Sequence, residues 1–272
     1  MLTTALAVQS AAAAPDLFDA MGHAAPTGLH FLGTPGLRTL LTPGLLAVGD
    51  ALADAYAKGR FVCVLGQAGV GKTFAVHTAA RRLGELLPLD LRAQPSPADL
   101  RDALHEALRL PGQAPADPAP ADTLIRRALA QGPRIVVVED AHRLSPSCWE
   151  YLRFLHDELS QGLCVVLTAP ACGERFLRAQ RMLATRTTSW LCVQPLTRDR
   201  IPQAVPALHA LWQGVAPGDL DALDARCAGG VLRRWAVLTR HTQRAMAAHG
   251  AKKPDRVMLQ AVADRADGGR RP

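Results

Sequence analysis

The six cysteines, Cys63, Cys148, Cys164, Cys172, Cys192 and Cys227, include no C-x-x-C pair. Neither a metal-binding pattern nor a disulfide framework is therefore indicated, and the cysteines read as small buried hydrophobes of a reducing compartment. No Lys or Arg precedes Arg38, so the Ala-rich start, which ends in Ala11-Ala12-Ala13-Ala14-Pro15, lacks the positive region of a secretory leader. No uninterrupted apolar run approaches the roughly 18 residues that suggest a membrane span. These absences together point to a cytoplasmic protein with no membrane partner. Lysine is scarce, occurring only as Lys58, Lys72, Lys252 and Lys253 among 31 basic residues. The net charge of +7 is thus an arginine charge. It suggests an anionic partner beyond a small ligand, although arginine-rich, lysine-poor chains also arise from genomic base composition.

What the chain does contain is Gly66-Gln67-Ala68-Gly69-Val70-Gly71-Lys72-Thr73, a full match to G-x-x-x-x-G-K-[ST] directly after the apolar run Phe61 to Leu65. This is a phosphate-binding loop. Its glycines let successive backbone N–H groups turn inward around phosphate oxygens, and the helix that follows offers its positive dipole end to the same anion. Lys72 is expected to neutralise β/γ-phosphate charge and Thr73 to hold Mg²⁺ through its hydroxyl.

At 272 residues the chain suits one α/β domain with a small helical appendage. Apolar runs at Phe61–Leu65, Leu89–Arg92, Arg134–Val138, Leu163–Thr168 and Trp190–Val193 alternate with helical patterns. Such alternation implies a five-stranded parallel sheet flanked by helices. Ser96 and Pro97 mark a helix start as N-cap and first residue. The proline-rich stretch Pro111 to Pro120 reads as an intradomain loop, with helix resuming at Asp122. The expected organisation is a flexible arm over 1–29, a nucleotide-binding domain over 30–197, a helical lid over 198–265 and a disordered tail over 266–272.

The run ending at Val138 is β-branched throughout, as in a strand buried on both faces, and is followed by Glu139 and Asp140. In P-loop ATPases such a strand carries an acid that helps hold Mg²⁺ and a second that orients the attacking water. Here the common Asp-Glu order is reversed, which places the longer side chain at the metal and predicts slow hydrolysis. The text Asp140-Ala141-His142-Arg143 is no DEAH-box helicase signature, because 272 residues leave no room for a second motor domain.

Four further stretches follow in a characteristic order: Glu139 to Ser145, Thr168-Ala169-Pro170, Gln194-Pro195-Leu196-Thr197 and Gly229-Gly230-Val231-Leu232-Arg233-Arg234. In that order, over about residues 30 to 250, the chain resembles the AAA+ ATPases, and within them the TnsC/TniB/MuB class of transposition regulators. The resemblance implies ATP with Mg²⁺ as cofactors. It places Thr168 as the sensor of the γ-phosphate and Arg233 as the lid's sensor, with Arg234 as alternate. Arg186 matches an arginine finger entering a neighbouring subunit, with Arg175, Arg178 and Arg181 close by. The class forms ATP-dependent filaments or rings on double-stranded DNA and marks targets for a DDE transposase, in some cases with a target-selection protein. Arg92, Gln94 and Arg101 are the expected DNA contacts, with Arg126 and Arg127 behind them. The basic pairs Lys252-Lys253 and Arg270-Arg271 suit solubility or a partner. Two readings stay open beside this one: a helicase loader of the DnaC/IstB type, and a STAND-like switch that binds nucleotide and relays a change to a protein.

Overall fold

The computed structural model describes residues 33–159 and 162–268. The expected arm over 1–29 and the pair Arg270-Arg271 lie outside them. Five parallel strands, β1 (Phe61–Leu65), β2 (Glu85–Leu89), β3 (Arg134–Val138), β4 (Leu163–Ala169) and β5 (Thr187–Cys192), form one sheet in the order β2-β3-β4-β1-β5. β1 and β4 are buried along their whole length and β3 for all but its first residue, as the unbroken apolar runs require.

Side chains alternate between the two faces. Val62, Val64, Ile135, Val137, Cys164 and Val166 meet α1 (Pro43–Lys58) and α2 (Lys72–Leu83) on one side. Phe61, Cys63, Val136, Val138, Val165 and Leu167 meet α3 (Pro97–Ala107), α4 (Pro118–Leu129) and α5 (Pro146–Leu159) on the other. Burial pushes the thiols of Cys63 and Cys164 up to about 12 and leaves them inert. Cys172 and Cys192 are exposed, which corrects the uniform burial expected of the cysteines.

Helix starts follow local chemistry. Ser96 and Asp99 form a reciprocal capping box, with the Ser96 N–H donating to Asp99 Oδ2 at 2.8 Å, and Pro97 opens α3 as expected. Three boundaries differ from expectation, the last strand running over Thr187–Cys192 rather than Trp190–Val193. α2 stops at Leu83 and the second strand is Glu85–Leu89, not Leu89–Arg92. Pro88 sits inside that strand because β2 is a sheet edge, where a missing N–H costs no ladder bond. α4 begins at Pro118 rather than Asp122, because Pro118 and Pro120 occupy the first turn, where backbone N–H groups have no helical partner.

The helical pattern after Arg198 folds as a separate cluster of α8 (Ile201–Leu208), α9 (Pro217–Leu223), α10 (Leu232–His249) and α11 (Arg256–Gly268); α6 (Glu174–Arg178) and α7 (Arg181–Ala184) precede β5. Trp212 and Trp235 meet edge to face at 5.4 Å in its centre. α11 runs to Gly268, into the segment expected as tail. The cluster is tied to the chain's entry segment: Leu37 and Leu40 pack into its core, and the Arg38 N–H donates to the Leu208 carbonyl at 2.8 Å. Among the described residues no helix is long and apolar enough to cross a membrane.

Candidate nucleotide-binding site

The phosphate-binding loop leaves the end of β1 under tight steric control. Gly66 has φ +144°, and a Cβ there would stand 2.4 Å from the Val193 carbonyl oxygen at the end of β5. Gly69 has φ +86°, and a Cβ there would stand 2.8 Å from Arg233 Cβ. Only glycine fits both positions. Gly71, also at positive φ, precedes Lys72, the first residue of α2, and no side chain caps the helix. The open N–H groups of that first turn are an anion site in waiting.

Lys72 Nζ donates to the Gly66 carbonyl at 2.7 Å and the Gln67 carbonyl at 3.1 Å. Burial holds its pKa below the ordinary lysine value and the positive charge of Arg233 adds to the effect, against the raising influence of Asp140 and Glu139. Phosphate oxygens would supply a negative partner in direct contact with this cation.

Glu139 and Asp140 follow β3 directly. The Glu139 carboxyl is held below the usual carboxylate range by His77 first, then by the Thr73 hydroxyl and the charge of Lys72, against the effect of burial. His77 Nε2 stands 3.7 Å from Glu139 Oε1, an ion-pair rather than a hydrogen-bond separation. Thr73 and His77 are one turn apart on α2, so the helix presents both toward the acid. An ionised Glu139 beside the Thr73 hydroxyl is a fitting oxygen pair for Mg²⁺, an ion that completes its shell with waters and substrate phosphates. Asp140 adopts the left-handed conformation at φ 49°, which Asp tolerates better than most side chains, and opens the short turn Ala141–Arg143. Its Oδ2 lies 3.8 Å from Arg143, both side chains being half exposed.

Above the loop lies a cavity of about 300 Å³, lined by Lys72, Thr73, Glu139, Asp140, Thr168 and Arg233. Thr168 reaches it from the penultimate position of β4 and is buried. Arg233 reaches it from the start of α10, and its backbone N–H donates to the Gly69 carbonyl at 3.0 Å, seating the lid on the loop. A largely apolar wall was not anticipated: Leu37 and Leu40 from the entry segment, Leu45 from α1, Val193 from beyond β5, and Leu208 and Ala236 from the lid. It has the character expected of a base-binding slot. The sequence carried only a faint signal of it, in the turn-rich text before α1.

The remaining expected residues are elsewhere. Arg186 precedes β5 at the end of the sheet opposite the loop, and its Nη2 donates to both carboxylate oxygens of Asp157 at 2.7 Å. Arg234 donates to the Ala228 carbonyl at 3.4 Å. Arg92 pairs with Asp99 at 2.8 Å. Arg101 is largely buried, forked onto Asp122 at 2.7 and 3.2 Å and stacked over Tyr151 at 4.6 Å. Gln94 is exposed. Arg126 pairs with Glu158 at 2.7 Å. Two of the three expected DNA contacts thus have carboxylate partners within the chain.

Sheet order, loop, acid pair and lid define the AAA+ P-loop NTPase fold. Residues 56–175 match the family model described as AAA domain. No curated protein matches the chain in sequence. Among solved structures, the ORC2 protein of Aeropyrum pernix in ADPNP–ADP complexes is similar with a TM-score of 0.66 at 14% identity, over 82% of this chain and 68% of that one. RuvB of Thermotoga maritima, described as a Holliday junction branch migration motor, is similar with a TM-score of 0.58 at 14% identity, over 80% of this chain and 67% of its own. At that identity the likeness speaks for the fold.

Proposed function

We propose that the protein is an ATPase that assembles on double-stranded DNA when loaded with ATP and Mg²⁺, recruits or licenses a DDE transposase at the target, and disassembles on hydrolysis. The observation that carries the nucleotide part is the convergence of Lys72, Thr73, Glu139, Asp140, Thr168 and Arg233, from separate stretches of sequence, on one cavity. In this reading 30–197 is the nucleotide-binding domain and 198–265 the lid. The loop Gly66 to Thr73, including Gln67, Ala68 and Val70, cradles the phosphates. Bound Mg²⁺ would supply charge neutralisation at the phosphoryl oxygens. Thr73 and Glu139 hold that ion, Asp140 orients water, and Thr168 and Arg233 sense the terminal phosphate.

Arg186 acts in trans in this reading, and to do so it exchanges Asp157 for the neighbouring site, which ties hydrolysis to assembly. The DNA and transposase parts are supported by the order of motifs shared with the transposition regulators and by a fold shared with a branch-migration motor.

The test is electron microscopy of the protein with and without a DNA duplex in ATP, ADP and a non-hydrolysable ATP analogue, beside Lys72→Ala. Filaments or rings that need ATP and are lost in the variant support the proposal. A protein that ignores DNA in every nucleotide state refutes it and favours a protein-facing switch.

A further inference from the structure

Many arginines of this chain are neutralised inside it, as Arg92, Arg101, Arg126 and Arg186 show. In the lid, Arg198, Arg226 and Arg256 follow that pattern, paired with Asp221, Asp264 and Asp219, whereas among the described residues Arg240 and Arg244 of α10 do not. The eighteen residues of α10 include no Asp or Glu. Arg233, Arg240 and Arg244, spaced by seven and four residues, fall on one stripe of a helix with about 3.6 residues per turn. The buried residues Trp235, Leu238, Thr239 and Thr242 occupy the other side. α11 packs on α10 and brings Arg265 within electrostatic reach of His241 on that helix. Arg244 and Arg265 are exposed, and no described carboxylate pairs with either of them or with Arg240. Arg240 Nε is buried without a hydrogen-bond partner. Burial, with Arg240, Arg244 and Arg265, holds the His241 imidazole below its ordinary 6.5, an independent sign that these cations crowd together.

A cluster of like charges whose members have no paired carboxylate among the described residues repels itself and gains most from an external polyanion. Its chemistry narrows the choice. The cations are spread over two helices, with Arg240 and Arg244 about 6 Å apart along the axis, which suits a row of phosphates better than one. No large apolar side chain of α10 is exposed, so the face offers no platform on which unpaired bases would stack. We infer that the lid face centred on Arg240, Arg244 and Arg265 is the surface that grips the phosphate backbone of a nucleic-acid duplex. This inference rests on the DNA-assembling reading above and moves its contact surface from the Arg92–Arg101 region to the lid. Because Arg233 begins the same helix, about 10 Å before Arg240, the nucleotide and the duplex would address two points on one rigid rod.

The test is fluorescence anisotropy of a labelled duplex with the full chain and a non-hydrolysable ATP analogue across a salt series. The wild type is compared with Arg244→Glu/Arg265→Glu and with the milder Arg244→Gln/Arg265→Gln. Melting curves and binding of a fluorescent ATP analogue confirm that both variants fold and load. The inference expects duplex affinity to fall at least tenfold in the Glu variant. In the Gln variant the slope of log Kobs against log salt should shrink by about 0.9 for each phosphate that is no longer neutralised. Wild-type duplex affinity and slope in both folded variants would overturn the inference while leaving the DNA reading intact. A wild type that binds no duplex in any nucleotide state would overturn the DNA reading and the inference with it. Loss of self-association in sedimentation, with duplex binding retained, would overturn it by assigning the face to a second copy of the chain.

Discussion

Asp224 is a buried carboxylate at the root of the lid, and replacing it is the sharpest perturbation of the way the lid is aimed. Its Oδ1 accepts from the Gly230 N–H at 2.8 Å and from Trp235 Nε1 at 3.0 Å. Asp224→Ala leaves both donors buried and unanswered, at about 1–3 kcal/mol each, or roughly 2–6 kcal/mol together. For a domain of this size that corresponds to a melting temperature lower by roughly 4–24 °C. Asp224→Asn keeps an oxygen at the same place and should cost under about 1 kcal/mol. The Gly229-Gly230 turn delivers Arg233 to Gly69, so the Ala variant should also lose nucleotide affinity out of proportion to its global stability. Differential scanning calorimetry and nucleotide titration of the three proteins separate these effects. An Ala variant that melts within about 2 °C of wild type, or an Asn variant as damaged as Ala, refutes the reasoning.

Gly69→Ala introduces a Cβ against Arg233 Cβ at positive φ. About 1–2 kcal/mol of backbone strain and a lifted lid should follow, with nucleotide affinity down tenfold or more by calorimetric titration; unchanged affinity would mean the lid does not seat on the loop. Asp140→Asn preserves the left-handed turn and should slow single-turnover hydrolysis by about 100-fold or more if Asp140 positions or deprotonates water. An unaltered rate removes it from that role. Burial, the largest influence, would by itself raise the Asp122 carboxyl, but the Arg101 fork together with Tyr151 and the charge of Arg126 outweighs it and holds the group below its ordinary 3.8. Its contribution to stability is therefore present above that pH and drains away as pH falls through the lower folded value. Urea midpoints of wild type and Arg101→Met should differ at neutral pH and converge well below pH 3.8. A gap independent of pH would show that the pair is not the cause.

The parts legible in the sequence were those whose physics is local. Gly66 to Thr73 announces itself because the loop conformation, the helix start and the two functional side chains are fixed within eight consecutive residues. The buried strands likewise show as unbroken apolar runs. The strand Glu85–Leu89 is hard to read locally because the tolerance of Pro88 depends on β2 being an edge, a property of the whole sheet. The environment of Arg101 depends on Asp122, 21 residues away, and that of Arg186 on Asp157, 29 away. No window of sequence contains either pair. The apolar wall of the cavity was hidden for the same reason, since Leu37 and Leu208 meet only when the entry segment crosses the lid.

The phosphate-binding loop is already latched. Lys72 is engaged with two carbonyls of its own turn, and the lid backbone is bonded to a third at Gly69. An arriving phosphate therefore enters partly by exchange: Lys72 has one ammonium hydrogen beyond the two already engaged, and any further bond replaces one it already makes. What changes is the kind of acceptor, from neutral to anionic, which attracts a partly buried cation more strongly. Selection at this loop is thus a matter of charge density as well as of open donors, and it favours the most highly charged end of a nucleotide over any neutral ligand of similar shape.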